Sequence, residues 1–211
     1  PLRLINTSLL GTIFIYSFGN FLFTLGIHQS VVNSVVLEPF LLINTNENML
    51  AFANGQPIPH IINNIFVPTF GMVGGTGSTI SLLIAIFIFS RQQSAKQVAR
   101  LSLAPGLFNI NEPVIFGLPI VFNLPLMIPF VLLPAIGIYF AWLCTTLGFM
   151  SRCVVMIPWT TPPILSAWLA TAGDWRAVVV QLAIIVFGVF FYLPFLKIAE
   201  RVALKNSGIE N

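Results

Sequence analysis

The residue best suited to chemistry in this sequence is Glu112, a carboxylate that stands inside an apolar run. It is the only acidic side chain between Glu47 and Asp174, and the run covers residues 107–119. Placing an ionised carboxylate in a membrane-type segment costs free energy. A carboxylate found there therefore indicates a functional site, by hypothesis. A structural ion pair is the alternative, but no arginine lies within an apolar segment. We therefore interpret Glu112 as a functional carboxylate that can accept a proton.

Three other side chains could contribute to the same site, and each has a structural alternative. His28 follows the first apolar segment and could accept a proton from an opposite wall, or it could cap helix carbonyls. Asn111 offers hydrogen-bond donors and an acceptor, or it satisfies backbone groups freed by Pro113. Trp159 offers a flat face and one N–H to a ligand, or it anchors the chain at a membrane interface. The sequence leaves these alternatives open.

Composition indicates the environment in which these residues act. The chain is 57% hydrophobic and 7% charged, with a mean hydropathy of +0.95, whereas soluble domains average about 25% charged residues. This predicts an integral membrane protein. The net charge of +3 comes mostly from two clusters of the kind found in cytoplasmic loops: Arg91, Lys96 and Arg100, and Lys197, Arg201 and Lys205. Nucleic acid is not a predicted partner.

Cys144 and Cys153 lack metal-ligand spacing and are interpreted as buried apolar residues, and no cofactor or metal is predicted.

Apolar segments of membrane-spanning length must position the candidate residues. The plain span candidates are residues 9–25, 66–89, 125–147 and 178–196. Arg3 favours a cytoplasmic start, which places the cation-free stretch 28–64 on the other side of the membrane. Within that stretch, residues 31–43 are short and apolar and predict an interfacial or re-entrant hairpin.

Two further apolar segments are interrupted by proline. Residues 101–122 carry three prolines around Glu112, and residues 154–172 carry three more near Trp159. Broken backbone at membrane depth is tolerated only where it is buried in protein or lines a cavity, and paired broken segments point to a transporter's binding site. The predicted fold class is therefore an all-α integral membrane protein, a multi-span helical bundle with two proline-broken re-entrant hairpins. Arg152 then lies outside the cell, whereas two full crossings would place it inside.

The remaining charged residues predict structural roles or none. Asp174 and Arg176 flank Trp175 at a segment end, which indicates an interfacial ion pair or a topology signal. His60, beside prolines in a polar loop, is predicted to lie at the surface. The role of Glu38, which precedes a proline, stays open.

Four separated motifs, in order, resemble one family. They are Asn109-Ile110-Asn111-Glu112-Pro113 with the residues up to Asn123, Leu25-Gly26-Ile27-His28, Gly74-Gly75-Thr76-Gly77-Ser78-Thr79, and Pro158-Trp159-Thr160-Thr161-Pro162 continuing to Ser166. The pattern is similar to the membrane subunit, enzyme IIC, of the lactose/cellobiose/diacetylchitobiose branch of the bacterial sugar phosphotransferase system. The resemblance implies that residues 1–211 are the C-terminal, substrate-binding half of that subunit, with the N-terminal half absent.

The resemblance also implies a function and its partners. His28, Asn111, Glu112 and Trp159 match residues that line the family's sugar site, with Glu112 and His28 near the 6-hydroxyl that receives phosphate. It implies a β-linked disaccharide as substrate, the phosphocysteine of a soluble enzyme IIB as donor, and a homodimer of the full-length protein in the bacterial plasma membrane. The chain would be a transport subunit and not an enzyme on its own. A proton-coupled secondary sugar carrier and a non-functional permease remnant are the alternative readings.

Overall fold

The computed structural model describes residues 5–206, which are helical with irregular connections and contain no β-strand. The bounded elements, numbered in chain order, are α1 (Leu9–Thr24), α2 (Ser30–Val32), a π-helix (Asn33–Leu37), α3 (Glu38–Ala53), α4 (Phe66–Gly71), a 3₁₀ turn (Thr76–Ser78), α5 (Ile80–Phe89), α6 (Gln93–Leu107), α7 (Glu112–Gly117), α8 (Leu124–Thr146), α9 (Leu165–Ala170) and α10 (Trp175–Asn206). The all-α prediction is confirmed.

Two helices, α8 and α10, are long and apolar enough to cross a membrane. A third span is possible if α4, the 3₁₀ turn and α5 act together, although the chain bends there by 53°. α1 is apolar but shorter. Two of the four plain spans predicted from sequence, residues 125–147 and 178–196, thus have helices that meet the length and composition of a span. Residues 66–89 meet them if the bent pair is counted as one span, and the glycines at residues 71–77 account for the bend.

The centre of the bundle is the contact between α8 and α10, against which α1, α4 and α5 also pack. Small residues permit these close approaches. A Cβ on Gly137 would lie 2.4 Å from the carbonyl oxygen of Phe70, and one on Gly188 would lie 2.5 Å from Ser81 Oγ. In a lipid bilayer the surroundings are as apolar as the helix surfaces, so burial of apolar area does not drive helices together. Close backbone contact at glycine instead increases the van der Waals attraction between them.

The prediction of a short hairpin at residues 31–43 is wrong. α2, the π-helix and α3 follow one another without a break from Ser30 to Ala53, about 36 Å of helix at 1.5 Å per residue. Among the described residues this run is not one of the helices apolar enough to cross a membrane, so the side on which residues 28–64 lie stays a prediction. Arg3, on which that placement depended, lies outside the described residues. Two asparagines of the run are buried and hydrogen-bonded: Asn44 donates to the carbonyl of Ile62, and Asn48 donates to that of His60.

The first proline-broken segment folds back on itself, and we call residues 93–122 hairpin 1. α6 includes Pro105 and ends at Leu107, so the break comes later than that proline. The chain turns through Asn109, whose φ of +63° lies in the left-handed region that asparagine tolerates. α7 then returns beside α6 and packs closely against it. A Cβ on Gly117 of α7 would lie only 2.6 Å from Val98 Cγ1 of α6.

The second segment also folds back, and we call residues 154–170 hairpin 2. The backbone N–H groups of Val154 and Val155 both donate to the carbonyl of Ala170, at 2.8 and 3.2 Å, so the segment returns to its starting point. Only α9 within it is helical. The prediction of two proline-broken hairpins is confirmed at the level of the fold, and the side of the membrane on which each opens stays a prediction.

Candidate functional site

The tips of the two hairpins meet, and Asn109 joins them. Its Nδ2 donates to the carbonyl oxygens of Trp159, at 2.6 Å, and Thr161, at 3.1 Å. Its Oδ1 accepts from the backbone N–H of Gly74 at 2.9 Å, in the irregular segment between α4 and α5. We call that segment, residues 72–79, the glycine loop. One side chain therefore connects three chain segments that are each broken at the same place in the bundle.

Asn111 fastens hairpin 1 to the glycine loop a second time. Its Nδ2 donates to the carbonyl of Thr76 at 2.6 Å and to Thr79 Oγ1 at 2.8 Å, and the residue is only 3% exposed. Gly75 permits this approach, because a Cβ there would lie 2.4 Å from Asn111 Cγ. Both amide hydrogens are used within the protein, which leaves only Oδ1 of this predicted site residue for a ligand. Contact between Asn111 and a ligand stays a prediction.

Glu112 and His28, which the sequence places 84 residues apart, face each other in the structure. Glu112 Oε1 lies 3.9 Å from His28 Nε2, and both side chains are about half exposed. The distance is too long for a hydrogen bond, so both groups keep their capacity to bind a ligand. Half-exposure also explains how an apolar run tolerates the carboxylate: Glu112 begins α7 at the tip of hairpin 1, where half of its side chain is exposed.

The orientation of the His28 ring follows from its neighbours. Nδ1 accepts from the backbone N–H of Ser30 at 3.2 Å and lies 2.8 Å from Ser30 Oγ. In the neutral imidazole the proton therefore resides on Nε2, the nitrogen that faces Glu112. The ring also packs on Phe23, with centroids 4.5 Å apart. The pair thus presents an N–H donor and a carboxylate acceptor toward the same space.

A cavity of about 380 Å³ is lined by Gln29 and Ser30, which directly follow His28, although neither His28 nor Glu112 is among its lining residues. Hairpin 2 contributes Trp159, which is 56% exposed, and hairpin 1 contributes Asn109. Ser30, the partner of His28, also lines it. Its volume falls within the roughly 300–1,000 Å³ range of small-molecule sites. Of the four site residues predicted from sequence, Trp159 lines the cavity, and His28 contacts Ser30 of its wall. Glu112 faces His28 but does not line the cavity, and Asn111 is buried.

Sequence reasoning missed several residues of this region. Asn109 lies within one of the sequence motifs, but the sequence did not indicate a role for it. Tyr16 and Glu38 also line the cavity, and nothing in their sequence context indicated a place in the site. Gln181 did carry a signal, since it is a polar side chain in the long apolar helix α10. It is 1% exposed, donates to the carbonyl of Thr69 at 2.7 Å and to Ser166 Oγ at 3.0 Å, and so supports both α4 and the base of α9.

Other candidates have structural roles. Asp174 and Arg176 form the predicted ion pair at 2.9 Å. Partial burial acts to raise the pKa of Asp174, but hydrogen bonds from Arg176 and Ser151 outweigh it and hold that pKa well below its usual range. The prediction that His60 lies at the surface is only partly right, because its ring is half-buried and contacts Glu47.

Both cysteines are free thiols among the described residues, as their interpretation as apolar residues requires. Cys153 is fully buried, and burial raises the pKa of its thiol to about 12. Cys144 is partly buried. A thiol with a raised pKa is a poor nucleophile, so Cys153 serves packing. Its carbonyl oxygen accepts from Asn48 and Asn63, which joins this loop to α3 and to the segment before α4.

Comparison with known proteins places this arrangement in context. The family pattern of the phosphotransferase system EIIC matches residues 2–134. The putative permease IIC component YwbA of Bacillus subtilis (strain 168) is 35% identical over 95% of this chain and 46% of its own length. The cellobiose-specific EIIC component of Lactococcus lactis subsp. lactis (strain IL1403) is 42% identical over 68% of this chain and 31% of its own length.

A solved structure is similar over nearly the whole chain. It is the crystal structure of the transporter ChbC, the IIC component from the N,N'-diacetylchitobiose-specific phosphotransferase system. The TM-score is 0.93 at 34% identity, covering 99% of this chain and 49% of ChbC. This chain therefore spans about half the length of these relatives at most.

Proposed function

This chain belongs to the phosphotransferase-system EIIC family, and we propose that it is the sugar-binding half of a bacterial permease for a β-linked disaccharide. The observation that carries the proposal is the Glu112–His28 pair, which presents an acceptor and a donor 3.9 Å apart. His28 directly precedes Gln29 and Ser30, which line a cavity of disaccharide size. The family membership and the similarity to a cellobiose-specific EIIC component support this substrate class. On its own the chain is a transport subunit in the plasma membrane and not an enzyme.

The proposed chemistry is transfer of phosphate to the sugar 6-hydroxyl. That hydroxyl lies between Glu112 and His28 and attacks the phosphorus of a phosphocysteine on a soluble enzyme IIB. The new O–P bond forms while the S–P bond breaks, the cysteine leaves as thiolate, and Glu112 accepts the hydroxyl proton. His28 Nε2–H donates a hydrogen bond to the sugar, and Trp159 offers an aromatic face to a sugar ring. In the full-length protein we propose a homodimer.

The decisive test is Glu112→Gln in the intact permease. The substitution keeps the shape of the side chain and removes the proton acceptor, so phosphorylation coupled to transport should fall by about 10²–10⁴-fold while the protein level is unchanged. Glu47→Gln is the matched control, because Glu47 also contacts a histidine but lies outside the site. Full phosphorylation activity in Glu112→Gln would refute the assignment.

The same pair also suits a second function, a proton-coupled sugar carrier. A carboxylate and an imidazole that face each other in a membrane protein can relay a proton. The two functions differ in their energy source. Uptake into cells that is abolished by a protonophore but unaffected by loss of the phosphoryl donor would favour the carrier, and the opposite result favours the phosphotransferase.

A further inference from the structure

The backbone of hairpin 2 is strained at Ile164, the residue that precedes α9. Its φ of +74° and ψ of −59° are those of the rare and strained form of the γ-turn. A β-branched residue with positive φ is a genuine outlier for steric reasons. Among the non-glycine residues that the structure describes with positive φ, Ile164 is the only β-branched one. Strain of this kind persists only where the surrounding structure holds it, and it clusters at functional sites.

Gln181 of α10 holds this residue in place. The backbone N–H of Ile164 donates to Gln181 Oε1. Gln181 Nε2 donates both of its hydrogens, one to the carbonyl of Thr69 at 2.7 Å and one to Ser166 Oγ at 3.0 Å. These three hydrogen bonds join the bend at Ile164 to α4 and to α9. The Gln181 side chain thus fixes where hairpin 2 lies against the bundle.

Packing alone does not explain a glutamine at this position. Gln181 is 1% exposed and belongs to a helix that is apolar enough to cross a membrane. A buried amide is costly unless it is hydrogen-bonded, whereas an apolar side chain would carry no such cost. Two of the three partners of Gln181, Ile164 and Ser166, belong to hairpin 2. The hydrogen bonds that offset the burial of this amide are therefore mainly those that hold the hairpin.

The bend at Ile164 sets the direction of a cavity wall. Residues 156–159 and Pro163 of hairpin 2 line the cavity. Ile164 lies between the tip of the hairpin, which Asn109 holds, and α9, which returns to the base. Because φ and ψ are the only soft rotations of the backbone, a change of φ at Ile164 to the ordinary negative region would reorient the arm before it relative to α9. Trp159 would move with that arm.

We infer that Gln181 is a positioning residue of the sugar site, which holds Ile164 in its strained conformation and thereby sets the cavity wall formed by hairpin 2. The inference rests on the proposed function, because it takes this cavity as part of the place where the sugar binds. Hairpin 2 then has a strained conformation that binds sugar and a relaxed one that does not. Loss of Gln181 shifts the population toward the relaxed form, and the apparent dissociation constant rises as the competent fraction falls.

The test is equilibrium binding of cellobiose to the intact, detergent-purified permease. Gln181→Met keeps the length of the side chain and removes all three hydrogen bonds, so the affinity should fall by about 10-fold or more. Gln97→Met is the matched control and should leave the affinity unchanged, because Gln97 is exposed on α6 and is not among the residues that line the cavity. Equal elution profiles in size-exclusion chromatography establish that each variant is folded.

A second substitution separates positioning from general support of the fold. Glycine adopts positive φ without a steric penalty, so Ile164→Gly in the Gln181→Met background should recover at least about fivefold of the lost affinity. Val155→Gly in the same background is the control and should recover nothing, because Val155 is a β-branched residue of hairpin 2 whose φ is not positive. A side chain that only stabilised the fold would not be replaced by glycine at this one position.

Each other result has a distinct meaning. If folded Gln181→Met binds cellobiose as tightly as the wild type, the positioning role is refuted while the proposed function stands. If the affinity falls but Ile164→Gly recovers no more of it than Val155→Gly, Gln181 does not act through the bend and the positioning role is again refuted. If Gln181→Met does not fold, Gln181→Asn carries the same comparison, since it keeps a polar amide that is too short to reach all three partners. If the wild type binds no β-linked disaccharide at all, both the proposed function and the positioning role are refuted.

Discussion

The clearest prediction of the structure concerns Asn109, the side chain that joins the two hairpin tips to the glycine loop. Asn109→Gly removes three hydrogen bonds, to Gly74, Trp159 and Thr161, and leaves the backbone unstrained, because glycine accepts the observed φ of +63°. At about 1 kcal/mol each, the three bonds contribute about 3 kcal/mol to the assembled geometry.

That loss translates into a loss of sugar affinity. If the tips separate, the apparent dissociation constant rises in inverse proportion to the fraction of molecules that remain competent to bind. A loss of about 3 kcal/mol corresponds to a factor of roughly 100. Because Asn109 borders the open cavity, water recovers part of the lost bonding, so we expect an affinity that is weaker by about 10- to 100-fold.

Asn109→Asp sharpens the test because it is nearly isosteric. The carboxylate can still accept from the Gly74 N–H, but it faces the carbonyl oxygens of Trp159 and Thr161 without a hydrogen to offer them. We expect a loss of affinity at least as large as that of Asn109→Gly. The assay is equilibrium cellobiose binding to the intact permease, with Asn54→Gly as control, since Asn54 makes only an exposed bond to its own helix. Affinity within twofold of the wild type in Asn109→Gly would show that the tips do not depend on this side chain.

Three further predictions follow from other residues. Trp159→Ala should weaken disaccharide binding while Trp159→Phe keeps much of it, because both Trp and Phe offer an aromatic face; unchanged binding in both variants would make Trp159 an anchor. In a chain with the native cysteines replaced, a cysteine at Arg152 should react with an impermeant thiol reagent from outside the cell and one at Gln93 only from inside. Labelling of the cysteine at position 152 from the cytoplasmic side alone would contradict the prediction that hairpin 1 opens toward the cytoplasm and hairpin 2 toward the outside of the cell. Asp174→Asn should lower the free energy of unfolding by roughly 1 kcal/mol at neutral pH. Since the folded pKa of Asp174 is depressed, its contribution is complete above the unfolded pKa of about 4 and is lost as pH falls toward the folded value, so thermal melts of wild type and variant should converge in acid.

Several features could be predicted from the sequence because they depend on local composition. The near absence of charge over 211 residues predicts a membrane environment, and three prolines in each of two apolar segments predict a broken backbone, which the structure shows in both hairpins. Glu112 was identifiable for the same reason, since a single carboxylate in an apolar run is conspicuous without any knowledge of its neighbours. The motifs around Glu112 and Trp159 were sufficient to indicate the family.

Other features depend on contacts between distant parts of the chain, which composition cannot reveal. Residues 31–43 are short and apolar and predicted a hairpin, yet they belong to a longer helical run. Asn48 of this run is buried and donates to a carbonyl 105 residues away, at Cys153. The joining role of Asn109 exists only because hairpin 2 brings two carbonyls to it from about 50 residues further along. Tyr16 and Glu38 line one cavity only because the fold brings α1 and the start of α3 to the same wall. The sequence by itself determined the membrane class and the acidic centre, while the hydrogen bonds that assemble the site around it were decided by tertiary structure, because their donors and acceptors are supplied by segments that no local pattern connects.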